Sequence, residues 1–280
     1  MITSIHERIT PEIAMAYLAR NRKNNRKLSM SVVTSYANDM RDGRWDSENG
    51  TSIKFNTDGE LEDGQHRLMA CIQAGVPFET IVMYGVRKGA INTIDNGRSR
   101  SAGAVFTIND IPNANNAASI VRSYIGLKSH RVIVAGTEQG VQYGKISNSI
   151  VLEVYRRHQD FFKTSVTLSQ RCYDSCRAFP ISTLGSIYAY LVLDGGYADE
   201  YVADFIEQLT DCKPFEWNVL RECRKKFVED KMSNVHMTGS VKQSLLIKAW
   251  NYYVRKKDVG IGKFCYNNKF DKDIWFIIKK

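Results

Sequence analysis

The first third of the chain alternates strand patterns with amphipathic helix patterns. Ser52–Phe55 alternates polar and apolar residues, and the turn sequence Asn56–Gly59 leads into a second short run at Glu60–Glu62, which predicts a β-hairpin. Phe78–Val86 is the most strand-like run of the chain, and we expect it to lie centrally in a small mixed sheet. Leu28–Met40 carries apolar residues at helical spacing and predicts an amphipathic helix.

Two more helices of this region have clear end signals. Thr10 followed by Pro11 is typical of a helix start, because a threonine hydroxyl can cap free backbone N–H groups and proline fits the first helical position. Another helix is predicted after the turn Asp63-Gly64, where Leu68 is apolar and Gly75 supplies a C-terminal cap.

Beyond about residue 112 the pattern is helical, apart from a glycine-rich segment at 131–144 that predicts a loop. The predicted helices are Asn115–Leu127, Asn148–Phe162, Ile181–Leu193, Asp199–Leu209, Glu216–Asp230 and Ser240–Val254. The fold class predicted is therefore α+β. A small mixed-sheet domain over residues 1–110 is followed by an all-α helical domain over residues 111–280.

Composition places the chain among globular proteins. Its 280 residues include 43% hydrophobic and 11% aromatic residues, enough to bury a core. No apolar run is long enough to span a bilayer, and the first residues lack the apolar core of an export signal. Six cysteines without a dense framework are typical of a reducing compartment, so we expect a cytoplasmic protein without a membrane partner.

The positive charge is unevenly distributed. The formal net charge is +9, yet residues 1–110 hold 14 Lys/Arg against 13 Asp/Glu, so nearly all of the excess lies in the remaining residues. A basic surface of this kind is typical of nucleic-acid binding, and DNA is the partner we expect. The alternative from composition alone is a set of solvated, lysine-rich helix faces.

The turn at Asp63-Gly64 holds the strongest candidate chemistry. It brings Asp63, Gly64, Gln65, His66 and Arg67 together at a strand end and the first turn of a helix. Free backbone N–H groups and the helix dipole favour an anion there, and the guanidinium of arginine offers a planar fork of donors for phosphate. The aspartate could hold a divalent metal or act as a base, and the histidine could titrate near neutrality. The alternative is an ordinary turn with a capping acid and a structural histidine.

Three other basic segments are candidates for phosphate or nucleic-acid contact. Arg98 and Arg100 precede a helix that Ser99 or Ser101 can cap, which makes a second anion-binding corner. The other two segments are a loop without acidic residues and a cluster beside tyrosines at the end of the last predicted helix. Their cations are Arg22, Lys23, Arg26 and Lys27 in the loop, and Arg255, Lys256 and Lys257 in the cluster.

The run Asp63-Gly64-Gln65-His66-Arg67-Leu68, followed by Ala70, resembles the DGQHR signature of ParB/sulfiredoxin-like proteins. Relatives carry Gly-Glu-Arg-Arg in CTP-binding ParB proteins, Gly-Cys-His-Arg in sulfiredoxins and Asp-Gly-His-His-Arg in free-serine kinases. In all of them the motif cradles phosphates, usually of a nucleotide. The order of helices, hairpin, motif, strand and the Asp-x-Gly-Arg-x-Arg run ending at Arg100 resembles phage and plasmid ParB-like proteins of poorly defined function.

This resemblance implies a ParB/sulfiredoxin-like fold over the first domain and a nucleoside triphosphate at residues 63–67. It further implies that Arg98 and Arg100 contact the same phosphates or a DNA phosphate, and that Asp63 or Glu62 holds Mg²⁺. His66 would position a water or the terminal phosphate for hydrolysis or phosphoryl transfer. The expected function is a nucleotide-dependent enzyme, an NTPase or phosphotransferase, that acts on or with DNA.

Two other functional classes stay open. The same corner could serve a metal-dependent nuclease or DNA-modification enzyme, or it could be a scaffold in a non-enzymatic DNA- or protein-binding regulator. Gln65 stands where sulfiredoxins carry their catalytic cysteine, so sulfinic-acid reduction is not expected. No helix-turn-helix is identified after the motif domain, which argues against a clamp-type partition role. The sequence leaves the formation of a homo-oligomer open.

Overall fold

The computed structural model describes residues 1–23, 25, 27–88, 100–134, 146–214 and 216–264. The chain divides into two compact units. The first contains Met1–Arg100 and Gln142–Ile150, and the second contains Ser101–Val141 and Val151–Lys280. The division therefore falls after residue 100, whereas the sequence predicted the domain boundary after residue 110.

The first unit is built on a four-stranded mixed sheet. Its strands are β1 (Thr3–Ile9), β2 (Ser52–Asn56), β3 (Leu61–Asp63) and β4 (Phe78–Val86), in the order β1-β4-β2-β3. β2 runs parallel to β4, whereas the β1–β4 and β2–β3 pairs are antiparallel. The predicted hairpin and the interior position of Phe78–Val86 are confirmed, while the edge strand β1 was not predicted.

Three helices of the first unit, α1 (Pro11–Ala19), α2 (Met30–Arg41) and α3 (Gln65–Ala74), complete its core. The predicted cap of α1 is confirmed, because the Thr10 hydroxyl accepts a hydrogen bond from the Ile13 N–H. The core is a single apolar cluster drawn from these helices and from β2, β3 and β4, with members that include Phe55, Leu61, Leu68 and Val82. It holds the turn between β3 and α3 on a rigid base.

In the part of the second unit that the structure describes, helices are joined by turns and loops. Its elements are α4 (Ala102–Ile108), α5 (Ala114–Val134), α7 (Gln159–Ser175), α8 (Ile181–Ala189) with a π-helical turn at Tyr190–Asp194, α9 (Asp199–Leu209), α10 (Asn218–Met232) and α11 (Gly239–Val254). α6 (Asn148–Arg157) contains the point at which the chain passes from the first unit to the second. The predicted helix Asn148–Phe162 is instead two helices that break at His158, where ψ is 41°. Within the predicted loop at 131–144, residues 131–134 belong to α5 and the rest lie outside the described residues.

Aromatic residues fill the core of the second unit. Trp250 on α11 is fully buried against Tyr197, Phe205 and Tyr253. The buried face of α11 is thus part of the core. Among the described residues, no helix is both long and apolar enough to cross a bilayer.

Candidate functional site

The turn between β3 and α3 has the geometry that the motif predicts. Gly64 has φ +111°, a backbone conformation that side chains disfavour, and a Cβ there would lie 3.0 Å from Cγ1 of Ile53. At the other end of α3, Gly75 adopts the left-handed conformation with φ 68° and caps the helix. The chain therefore turns sharply from the strand into the helix, with Asp63 at the strand end and Arg67 in the first helical turn.

Two cations converge on the carboxylate of Asp63. Lys54 on β2 lies directly across the hairpin, and its Nζ is 3.1 Å from Oδ2 of Asp63. An Arg67 guanidinium nitrogen lies 3.4 Å from the same oxygen and donates to the backbone carbonyl of Ser52 at 2.7 Å. The side chain of Lys54 is 18% exposed, that of Arg67 is 11% exposed and that of Asp63 is 23% exposed. Water therefore reaches the cluster only in part. Two positive charges thus surround one negative charge beside the start of α3.

Glu62 has a structural role beside the corner. Its side chain is only 2% exposed and pairs with Arg22 at 3.2 Å. It also accepts a hydrogen bond from the Asn56 side-chain amide at 3.1 Å. Arg22 belongs to the basic loop after α1, so this ion pair fastens the loop to β3. The neighbouring Asp63 is the more exposed of the two acids.

Asparagines of the basic loop join it to the motif as well. The Asn21 side-chain amide donates to Oε1 of Gln65 at 3.2 Å, and the Asn25 amide donates to the Asn21 side chain at 2.8 Å. The backbone N–H of Leu61 donates to the Arg20 carbonyl at 2.8 Å. The loop and the motif, separated by about forty residues in sequence, therefore form one site, which the sequence reading did not predict.

His66 is buried and already bonded. Its Nε2 accepts a hydrogen bond at 3.0 Å from the backbone N–H of Ser29, the residue just before α2. A nitrogen that accepts a hydrogen bond carries no proton, so the imidazole is neutral in this arrangement. His66 thus satisfies a free N–H group at the start of α2, and this contact must break before Nε2 can act on a ligand.

The other predicted basic residues that the structure describes are exposed. Lys23 and Lys27 are exposed on the basic loop, whereas Arg26 and Arg98 lie outside the described residues. Arg100 is exposed, and its backbone carbonyl accepts a hydrogen bond from the Asn148 side chain at 2.8 Å. The cluster Arg255, Lys256 and Lys257 is exposed at the end of α11, in the second unit.

A protein-held Mg²⁺ does not fit these side chains as they are arranged. Mg²⁺ requires oxygen ligands in an octahedral shell. Asp63 contacts two cations, and Glu62 is buried in its pair with Arg22. No group of three or more His, Cys, Asp or Glu side chains suited to a metal was found within the described ranges. Glu62 and Asp63 are thus each paired with cations of the protein itself.

The candidate site residue that the sequence reading missed is Lys54. Its only local signal is its place in the alternating β2 strand, and its closeness to Asp63 follows from the hairpin register. Cys172 is a second non-local case. Its Sγ lies 3.8 Å from that of Cys212, which is forty residues away in sequence.

Comparison with known proteins adds no family to this geometry. Neither the scan against protein-family models nor the searches of curated proteins and of solved structures found a match. The similarity to ParB/sulfiredoxin-like proteins therefore rests on the residues of the motif and on the order of the elements around it.

Proposed function

We propose that this protein binds a nucleoside triphosphate at the corner formed by Lys54, Asp63, Gly64 and Arg67, and that it uses the nucleotide in work on DNA. The observation that carries the proposal is the convergence of Lys54 and Arg67 on one carboxylate, at 3.1 and 3.4 Å. Two cations and one partly exposed acid therefore meet at this corner. Phosphate is the ligand group that such a corner fits best.

Binding would proceed by exchange of one anion for another. A phosphate group takes the position of the Asp63 carboxylate between Lys54 and Arg67, with the arginine supplying a fork of donors and the lysine a point charge. The phosphate would lie at the backbone N–H groups that begin α3, where the helix dipole is favourable. Asp63 then becomes free to turn towards the ligand.

The same exchange defines the chemistry we propose. Once released from Lys54 and Arg67, Asp63 is the acid placed to accept a proton from a water or another acceptor beside the terminal phosphate. His66 keeps its hydrogen bond to Ser29 and supports α2. Hydrolysis or transfer of the terminal phosphoryl group therefore depends on Asp63.

The link to DNA is proposed from charge and position. Lys23 and Lys27 are exposed on the loop that Arg22 fastens to β3, so DNA bound there would lie next to the phosphate corner. We also propose a ParB/sulfiredoxin-like fold for the first unit and a wholly helical second domain.

A non-enzymatic regulator is the second candidate. It is favoured by the engagement of Glu62 with Arg22 and of His66 with Ser29, since both residues hold neighbouring segments together. A metal-dependent nuclease has less support, because both acids of the corner face cations of the protein.

The proposal is tested by thermal unfolding with ATP, GTP, CTP and UTP, each with and without Mg²⁺. A nucleotide at about one hundred times its dissociation constant should stabilise the protein by about 2.7 kcal/mol. Lys54→Gln should remove most of this stabilisation. Lys88→Gln is the matched control, because Lys88 also pairs with acids of the first unit, at 3.0 and 3.5 Å, but is 60% exposed outside the corner.

The possible results separate the candidates. A nucleotide that stabilises the wild type and the Lys88 variant, but not the Lys54 variant, supports the proposal. If no nucleotide stabilises the wild type, or if both lysine variants respond as the wild type does, the nucleotide function is wrong. Binding of DNA that no nucleotide changes would then favour the non-enzymatic regulator.

A further inference from the structure

The second unit contains a cationic cavity that the proposed function does not use. It has a volume of about 310 Å³ and lies where the end of α7, the start of α8, the end of α10 and the start of α11 come together. Three of its lining side chains are cations, Arg177, Lys231 and Lys242, and one is an acid, Asp230. The cavity therefore carries an excess of two positive charges when His236, which also lines it, is neutral.

The acid of the cavity is already fully engaged. Asp230 has a side chain that is 4% exposed; it pairs with Nζ of Lys242 at 2.8 Å and accepts a hydrogen bond from the Met237 N–H. Burial acts to raise the pKa of Asp230, but the bonds from Lys242 and Met237 outweigh it and lower that pKa. Asp230 thus stays charged and fixes Lys242 at the cavity wall.

The remaining two cations have no such partner. Arg177 and Lys231 are exposed and form no ion pair with any residue that the structure describes. Arg177 lies in the turn between α7 and α8 and Lys231 lies at the end of α10, and two such cations repel one another unless an anion lies between them. The wall near them also includes Pro180, the residue before α8, so the positive end of that helix dipole adds to the same field.

We propose that this cavity binds the phosphate group of a small phosphorylated metabolite. Arg177 and Lys231 contact the phosphate from two sides, and Lys242, held by Asp230, completes the cationic wall. A volume of about 310 Å³ is more than a phosphate needs and lies at the lower end of the range for small-molecule sites, which fits an ester of modest size.

The test is titration calorimetry of the full chain with inorganic phosphate and with adenosine 5′-monophosphate. The double variant Arg177→Gln and Lys231→Gln removes two exposed cations that make no ion pair within the described residues, so folding should be kept, and circular dichroism checks this. It should weaken binding of both probes at least about tenfold, because each lost contact is a charge-assisted hydrogen bond. Lys225→Gln is the matched control, since Lys225 is an exposed lysine of α10 that does not line the cavity.

Two further measurements separate this cavity from the corner at Asp63 and from DNA. The titrations are repeated in a Lys54→Gln background, which disables the corner; binding of both probes should persist there and should be lost when Arg177→Gln and Lys231→Gln are added. Complete loss of binding in Lys54→Gln alone would assign the bound phosphate to the corner and overturn the proposal. Absence of binding to the wild type, or equal binding by the double variant, overturns it as well. If a single-stranded oligonucleotide binds through Arg177 and Lys231 while neither probe does, the site is a nucleic-acid contact and the proposal is wrong.

Discussion

Replacement of Asp63 by asparagine tests how the phosphate corner works. In the proposed exchange, the carboxylate competes with the ligand phosphate for Lys54 and Arg67. Asparagine keeps the shape of the side chain and an oxygen that can accept hydrogen bonds, but it removes the charge. If Asp63 is a competitor, the variant binds phosphate more tightly than the wild type. If Asp63 is a metal ligand, the variant binds nucleotide with Mg²⁺ less tightly.

The magnitude follows from the two contacts that the phosphate must replace. Both involve Oδ2 of Asp63, at 3.1 Å from Lys54 and 3.4 Å from Arg67. Solvent reaches the carboxylate, which is 23% exposed, so each contact contributes about 0.5–1 kcal/mol, near the upper end of the range for surface pairs. Loss of the charge should therefore strengthen phosphate binding by about 1 kcal/mol, which is about fivefold. The unliganded variant should lose a similar amount of stability, because two cations lose their counter-charge.

The assay is calorimetric titration with ATP, or with whichever nucleotide stabilises the wild type, in a chelator and again with Mg²⁺, at one fixed salt concentration. Asp58→Asn is the matched control, since Asp58 is a half-exposed acid of the same unit that pairs with Lys88 at 3.0 Å outside the corner. The competitor mechanism is refuted if Asp63→Asn weakens binding in the chelator, or if it changes affinity no more than the control does.

Three further changes test the surrounding structure. Gly64→Ala should destabilise the protein by about 2–3 kcal/mol in urea unfolding, because φ is +111° and the new Cβ meets a packed side chain. The control Gly43→Ala has φ +70° and open space around it, so it should destabilise the protein by about 1 kcal/mol. Equal costs would contradict the packing argument. Glu62→Gln should lower the free energy of unfolding by about 1–3 kcal/mol, since it leaves Arg22 without its counter-charge. A double-mutant cycle between the two residues should show coupling, and additive effects would contradict a stabilising ion pair. Asp230 has a lowered pKa in the folded chain, so its stabilisation is complete above its ordinary pKa of 3.8 and is lost as the pH falls below that value. Asp230→Asn should therefore show a smaller loss of stability on acidification than the wild type, and an unchanged acid slope would contradict the assignment.

The features predicted correctly from sequence are those with local causes. The threonine hydroxyl at Thr10 and the ring of Pro11 define the start of α1 without help from the rest of the fold. Gly75 ends α3 because a left-handed residue is required there. Phe78–Val86 is rich in apolar residues suited to a strand, and the structure assigns it the same bounds.

The features that were missed depend on distant partners. β1 is an exposed edge strand whose residues are mostly exposed, so its sequence lacks the apolar alternation that predicts a strand. The pairing of Lys54 with Asp63 depends on the register of β2 and β3, which shifts between Lys54 and Phe55. A shift of one residue would place Lys54 on the other face of the sheet, and no local pattern specifies it.

The motif itself shows why residue identity alone overstates catalysis. Two of its polar side chains and the adjacent Glu62 support packing, since Gln65 holds Asn21, His66 satisfies the N–H of Ser29 and Glu62 holds Arg22. These contacts account for their burial without any reaction.

Asp63 and Arg67 are the motif side chains that meet at the partly exposed corner, where Lys54 joins them from β2. Such a trio can bind an anion with no further help, whereas bond cleavage needs a base or a metal as well. Because Asp63 is the acid there with solvent access, any catalytic role of this motif must act through it. Asp63→Asn should therefore raise the affinity for phosphate in either case, and a catalytic corner would in addition lose its reaction.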